Sequence, residues 1–191
     1  MDLVFVIDIS SGATSPSHLK NIISSLKAVY NAFVIGADKT RVGVVVYDKA
    51  PYVIVKLSQG VSPDLLKQKL DGIAQSLNSG PSALGKALIA VKTSLFAGIA
   101  RAETPKLLVA ITGEKSTDDV SGPSQDLKDM NTTIFTVGVG GRTDKEALAN
   151  IATFTAKEHA LASDVSAHDS AGDNLAFRIR KGISTIIVKT R

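Results

Sequence analysis

The sequence predicts an α/β fold in which a central, mostly parallel sheet is covered by helices on both faces. Three observations predict it. Apolar runs of strand length alternate with segments of helical periodicity along the chain. The runs Leu3–Asp8 (LVFVID), Arg41–Tyr47 (RVGVVVY) and Lys106–Thr112 (KLLVAIT) are apolar almost throughout, as in strands buried on both sides. The link Asp48–Pro51 between the second and third runs is too short for a parallel crossover, so it makes a hairpin and one edge strand is antiparallel.

In chain order, Leu3–Asp8 is the first strand. A helix follows over Pro16–Gly36, where Leu19, Ile22, Ile23, Leu26, Val29, Tyr30 and Phe33 recur at helical spacing. Ser15 is placed to cap it and Pro16 occupies its first position. Arg41–Tyr47 and Pro51–Leu57 are the hairpin strands. Ser62–Ile73 opens with a cap-then-proline signal and reads as a short helix, and Ser82–Phe96 reads as a longer one. Lys106–Thr112, Thr133–Val139 and His159–Ala162 supply further strands, with helices over Ser124–Met130 and Thr143–Thr153 between them. A last helix is expected over Asn174–Lys189, its isoleucines Ile179, Ile183, Ile186 and Ile187 packing on the sheet and Arg178, Arg180 and Lys181 solvated. The expectation is a doubly wound, six-stranded sheet.

Length and composition narrow the function classes. At 191 residues the chain is expected to form one domain over residues 1–191. Apolar residues make up 44% and charged residues 21%, an ordinary globular composition. No apolar stretch approaches the roughly 20 residues of a membrane-spanning helix, so membrane insertion is not expected. The chain has no cysteine, which removes disulfides, thiolate metal sites and cysteine nucleophiles. A net charge of +4 is compatible with acidic partners such as sulfated glycans, reads first as a solvated surface, and gives no ground for a nucleic-acid partner. The histidines His18, His159 and His168 lack metal-ligand spacing. The GVGG run at Gly138–Gly141 lacks the full dinucleotide-loop spacing and reads as a turn.

Chemistry in an open parallel sheet belongs beyond the carboxyl ends of the strands, where strand order reverses. Asp8, Ser10 and Ser11 follow the first strand, Thr112–Asp119 follow the central one, and Ser79–Ser82 open a helix. Three polar clusters are thereby expected to meet at one rim. A hard divalent cation, Mg²⁺ or Ca²⁺, is what such oxygens would gather around.

These residues carry a resemblance. The stretch DLVFVIDISSG resembles the start of a von Willebrand factor A domain, whose metal-ion-dependent adhesion site begins Asp-x-Ser-x-Ser after the first strand. SGPSALGKAL is similar to the family's Gly-x-Thr-x-Thr-Gly-x-Ala-Leu segment, and PKLLVAITGEKSTDDV to its segment containing Leu-Thr-Asp-Gly-x-Ser-x-Asp-Asp-Val. The resemblance runs from Asp2 to about Lys189 and implies a doubly wound, Rossmann-like fold. Among relatives, the sequence most resembles the tandem amino-terminal A domains of collagen VI.

Carried over position by position, the resemblance implies a degenerate site. Asp8 and Ser10 match the first two metal-site residues, Ser82 keeps the oxygen of the usual threonine, Gly12 stands at the third hydroxyl, and Gly113 stands at the second aspartate. Glu114, one residue on, is the candidate compensating acid, while Asp118 and Asp119 match a downstream pair that does not ligate metal directly. With Asp8 as the one family carboxylate, the site is expected to be weak or empty and no cofactor is expected. In that case Asp8, Ser10 and Ser82 bond to one another and to the loop backbones.

The implied role is non-enzymatic: a secreted, extracellular-matrix module contacting collagens, neighbouring A domains or other matrix proteins without need of a metal. The alternative is metal-dependent adhesion through weakly held Mg²⁺ or Ca²⁺ at Asp8, Ser10 and Ser82. No basic, apolar, cleavage-site sequence precedes Asp2, so a secretory leader is expected to be either absent or already removed, and the localisation rests on the resemblance. An enzyme of the haloacid-dehalogenase kind would also place an aspartate after the first strand, but it needs a second acid two residues later, where Ser10 stands.

Overall fold

The computed structural model describes residues 1–10, 15–73, 80–153 and 160–163. Strand β1 (Asp2–Asp8) runs through the middle of the sheet, parallel to β2 (Arg41–Tyr47) on one side and to β4 (Lys106–Glu114) on the other. The antiparallel strand β3 (Pro51–Val55) closes one edge against β2. On the other side β5 (Thr132–Arg142) and the short β6 (Ala160–Ser163) continue in parallel, giving the order β3-β2-β1-β4-β5-β6. The order reverses between β1 and β4, which places the crevice of a doubly wound sheet beyond Asp8 and Glu114.

Alternation along β1 divides the core in two. Leu3, Phe5 and Ile7 face a layer formed with α1 (Pro16–Tyr30) and α2 (Pro63–Ile73), together with Leu19, Leu26, Leu66 and Leu70. Val4 and Val6 face the other layer, formed with α3 (Leu84–Ala90), the π-helical turn Val91–Phe96, α4 (Ser121–Asp129) and α5 (Lys145–Ile151). Both faces of the strand are therefore dry, as its unbroken apolar run requires.

Helix α1 ends at Tyr30 rather than continuing to Gly36. The amides of Ala32 and Phe33 turn back to the carbonyls of Val29 and Tyr30, at 3.1 and 3.0 Å, in a tightened last turn. Ile35 then pairs with Thr40 on the way into β2. Expected as one helix over Ser82–Phe96, the next segment starts at Leu84 and widens from Val91 into a π-helical turn, closed by the amide of Ala97 on the carbonyl of Lys92 at 2.9 Å. Widening puts Val91, Leu95 and Phe96 all into the core, and Leu95 comes against Gly43 of β2, where an added Cβ would stand 3.1 Å from Leu95 Cδ1.

Helix α4 begins at Ser121, three residues ahead of the expected start, because Asp119 accepts from the amides of Ser121 and Gly122 at 3.0 and 3.2 Å. Asp144 caps α5 through the amide of Ala147 at 3.0 Å, so that helix spans Lys145–Ile151 within the expected Thr143–Thr153. The helix expected over Asn174–Lys189 lies outside the described residues, as does Gly12. No helix among the described residues is long and apolar enough to cross a membrane.

At the end of the sheet opposite the crevice, Asp2 is fully buried between two arginines. Arg41 meets it through Nε and a terminal nitrogen at 2.9 and 2.6 Å, and Arg101 through a terminal nitrogen at 2.9 Å. Arg101 also donates to the carbonyls of Met1, Ala37 and Lys39, which ties the entry of β1 to the entry of β2.

Candidate functional site

The site is built where β1 and β4 end side by side. Asp8 is the last residue of β1, and its side chain, 2% exposed, points to the layer that holds α3. Its Oδ1 accepts from the amide of Ser10 at 3.0 Å and lies 2.7 Å from Ser10 Oγ. Its Oδ2 receives Ser82 Oγ and Thr112 Oγ1, each at 3.0 Å, and the amide of Gly113 at 3.3 Å. The three polar clusters expected at one rim therefore converge on a single carboxylate. Burial pushes the Asp8 carboxyl above its usual range, and the hydrogen bonds from Ser10, Ser82 and Gly113 oppose that rise.

Glu114 enters from the other side. The pairing of β4 with β5 is irregular here, Thr112 facing Gly138 and Glu114 facing Arg142, so that the extra residues lie on β5. Half-buried Glu114 sets its Oε1 3.1 Å from Ser10 Oγ, while its carbonyl lies 2.9 Å from Thr112 Oγ1. Each hydroxyl has a single proton. Ser10 Oγ thus stands between two carboxylate oxygens and Thr112 Oγ1 between two acceptors.

The loop holding Ser82 is laced to the loop after β4. The amide and hydroxyl of Thr117 both donate to the Ser82 carbonyl at 2.8 Å, and Ser116 Oγ accepts from the Leu84 amide at 2.9 Å. Asp118 accepts from the amides of Gly85 and Lys86 at 2.9 and 2.8 Å and from Ser116 Oγ at 2.7 Å. Gly85 is required by the closeness of this seam, because a Cβ there would stand 1.9 Å from the Asp119 carbonyl oxygen.

Beneath the cluster, Tyr47 is fully buried. Its hydroxyl lies toward Ser82 and Thr112 yet has no hydrogen-bond partner among the described residues. Burial and the charge of Asp8 push its pKa far up, so it stays a neutral phenol. The roles of Thr112, Ser116, Asp118 and Tyr47 go beyond the sequence reading. One signal for them was present: Ser116 and Asp118 stand two residues apart in a short loop, the spacing at which such side chains bind backbone amides.

Whether these residues fit a divalent ion turns on the donor set. Asp8, Ser10, Ser82 and Glu114 offer only hard oxygens, which suit Mg²⁺, Ca²⁺ or Mn²⁺. The Tyr47 hydroxyl beneath, without a partner among the described residues, is compatible with such an ion. Against a tight site, no group of three or more His, Cys, Asp or Glu among the described residues is gathered to hold a metal. The set fits an ion bound through few carboxylates and completed by water. A separate open cavity of about 220 Å³ lies between the starts of α4 and α5, lined by Val120, Ser121, Asp144, Glu146, Ala147 and Asn150, and none of the Asp8 cluster lines it.

A sequence model of the von Willebrand factor type A domain matches residues 2–170. The chain belongs to this family. It is 32% identical over 151 residues to the mouse collagen alpha-4(VI) chain, covering 78% of this chain and 6% of that one. It is also 32% identical over 151 residues to the human collagen alpha-1(XXI) chain, covering 79% of this chain and 15% of that one. The A domain described here thus spans a small part of those relatives. Among solved structures, proximal thread matrix protein 1 of the mussel byssus, with a zinc-occupied MIDAS motif, superposes with a TM-score of 0.79 at 23% identity, covering 92% of this chain and 44% of that one. That likeness establishes the shared fold.

Proposed function

We propose that this A domain is a non-enzymatic protein-interaction module of the extracellular matrix, with a degenerate metal-ion-dependent adhesion site at its crevice. Its partners are collagens, neighbouring A domains or other matrix proteins, with sulfated glycans as a further acidic class. One observation carries the reading. Both oxygens of Asp8 are taken up by donors from Ser10, Ser82, Thr112 and Gly113, so the carboxylate at the crevice is neither a free nucleophile nor a free base. The collagen relatives support a matrix setting.

A second reading, metal-dependent adhesion through Asp8, Ser10 and Ser82, is favoured by the Glu114 carboxylate reaching Ser10. Surface plasmon resonance of the domain over immobilised fibrillar collagen, collagen VI and heparin, with and without EDTA, tests both. Saturable binding that survives EDTA supports the first reading, and binding abolished by EDTA and restored by Mg²⁺ supports the second. Absence of saturable binding to all of these surfaces overturns the interaction role.

A further inference from the structure

We infer that Asn131 is an acceptor for an N-linked oligosaccharide, displayed on the turn between α4 and β5 at the end of the sheet opposite the crevice. The inference rests on the extracellular setting proposed above, because such sugars are added to chains that enter the secretory route.

The sequence supplies the motif once. Of its six asparagines, only Asn131 is followed two positions later by serine or threonine, in Asn131-Thr132-Thr133, and no proline intervenes. Local structure then puts that asparagine on display. Helix α4 ends at Asp129, and the backbone of Asn131 turns into the left-handed region at φ 56°, its amide donating to the Lys128 carbonyl at 2.9 Å. Asparagine is among the few residues besides glycine that adopt this conformation readily, and the bond is of the kind that closes a helix end.

The turn itself needs only backbone. A glycine would serve it with less strain, yet this position carries an amide side chain that is exposed and makes no hydrogen bond among the described residues. The next two residues enter β5, Thr132 buried and Thr133 half-buried. They fix the end of the strand while Asn131 faces solvent, so a bulky sugar on its Nδ2 displaces nothing in the core.

The transfer balances with one co-reactant, an oligosaccharide carried on a lipid-linked diphosphate. Asn131 Nδ2 bonds to the anomeric carbon, the bond from that carbon to the diphosphate oxygen breaks, and the amide gives up one proton. Transfer acts on the entering chain, before β5 forms, when the Thr133 hydroxyl is open to recognition. Folding then has only to leave Asn131 outside.

The position has a consequence for assembly. Thr132 pairs with Lys106 and Lys106 with Asp2, which sets Asn131 at the Asp2 end of the sheet, while Asp8 and Glu114 stand at the other. A sugar there leaves the crevice clear and screens the last turn of α4 from a neighbouring copy or domain.

The test expresses the whole chain behind a cleavable secretory leader in cultured animal cells and reads intact mass before and after peptide N-glycosidase. Wild type should lose mass on digestion, and its peptide should then carry aspartate at position 131. Asn131→Gly, which suits the left-handed turn, and Thr133→Ala should both abolish the loss, whereas Thr133→Ser should retain it. A leader-cleaved wild-type chain without sugar, or a loss that persists in Asn131→Gly, overturns the assignment. Because binding is not the readout, a sugar-free chain that still binds collagen would sink this inference and leave the interaction role standing. A glycosylated chain that binds none of the surfaces would do the reverse.

Discussion

Asp2 and Asp8 stand at the two ends of one central strand, both buried, and their surroundings push the two carboxyls in opposite directions. At Asp8 burial prevails, and its pKa is raised. At Asp2 burial pushes the same way, but hydrogen bonds and charge from Arg41 and Arg101 prevail and hold its pKa below the ordinary value. One end is a neutralised clamp. The other is an acid whose partners among the described residues are hydroxyls and amides.

Asp2 should therefore govern acid stability at its own end. A carboxyl with a depressed folded pKa contributes stability that is present above its unfolded pKa of about 3.9 and is lost as pH falls through the folded value. Asp2→Asn leaves two arginines without their buried counter-charge, and breaking such a pair costs about 3 to 5 kcal/mol. Urea unfolding at pH 7 and pH 3 checks this: the gap between wild type and Asp2→Asn should be large at pH 7 and narrower at pH 3. A gap independent of pH would refute it.

Asp118 should be worth a helix cap. Asp118→Ala frees the amides of Gly85 and Lys86 and removes a partner of Ser116. The expected loss is about 0.5 to 2 kcal/mol, read as a lower urea midpoint with unchanged slope. Amide hydrogen exchange should quicken at the start of α3.

Gly85→Ala should destabilise although alanine favours helices by about 1 kcal/mol over glycine. The added Cβ would meet the Asp119 carbonyl oxygen at 1.9 Å, and backbone on both sides must shift. Overpacking of this kind costs about 1 to 3 kcal/mol. A midpoint equal to or above wild type would show that the seam between the two loops is loose.

Phe5→Ala should be among the costliest core truncations. Phe5 is fully buried on the central strand, with neighbouring strands on both sides and helices above it. Removing it should cost about 3 to 5 kcal/mol in denaturant unfolding.

The sheet could be read in advance because its strands are buried on both faces and their apolar runs are unbroken. Arg41–Tyr47 has the extent expected, and the short link to Pro51 dictated the antiparallel edge. Helix ends were harder. Tyr30 terminates α1 through backbone turns that leave no mark in side-chain periodicity, and the π-helical turn at Val91 preserves an apolar pattern that an α-helix would also show. At the crevice, the motif identified Asp8, Ser10 and Ser82, which do meet. It left the place of Glu114 open, because the contact of its carboxylate with Ser10 joins the ends of two strands far apart in the chain. Tyr47 was hidden for another reason: the end residue of an apolar strand looks like core until its hydroxyl is seen beneath the cluster.

The setting of β1, hydrogen-bonded in parallel to β2 and β4 along nearly its whole length, has a mechanical consequence. A pull on Met1 directed along the strand axis, against an anchor at the far end of the sheet, would load the backbone bonds of both ladders together in shear. Resistance to pulling then follows the rate at which the sheet ruptures, rather than its equilibrium stability.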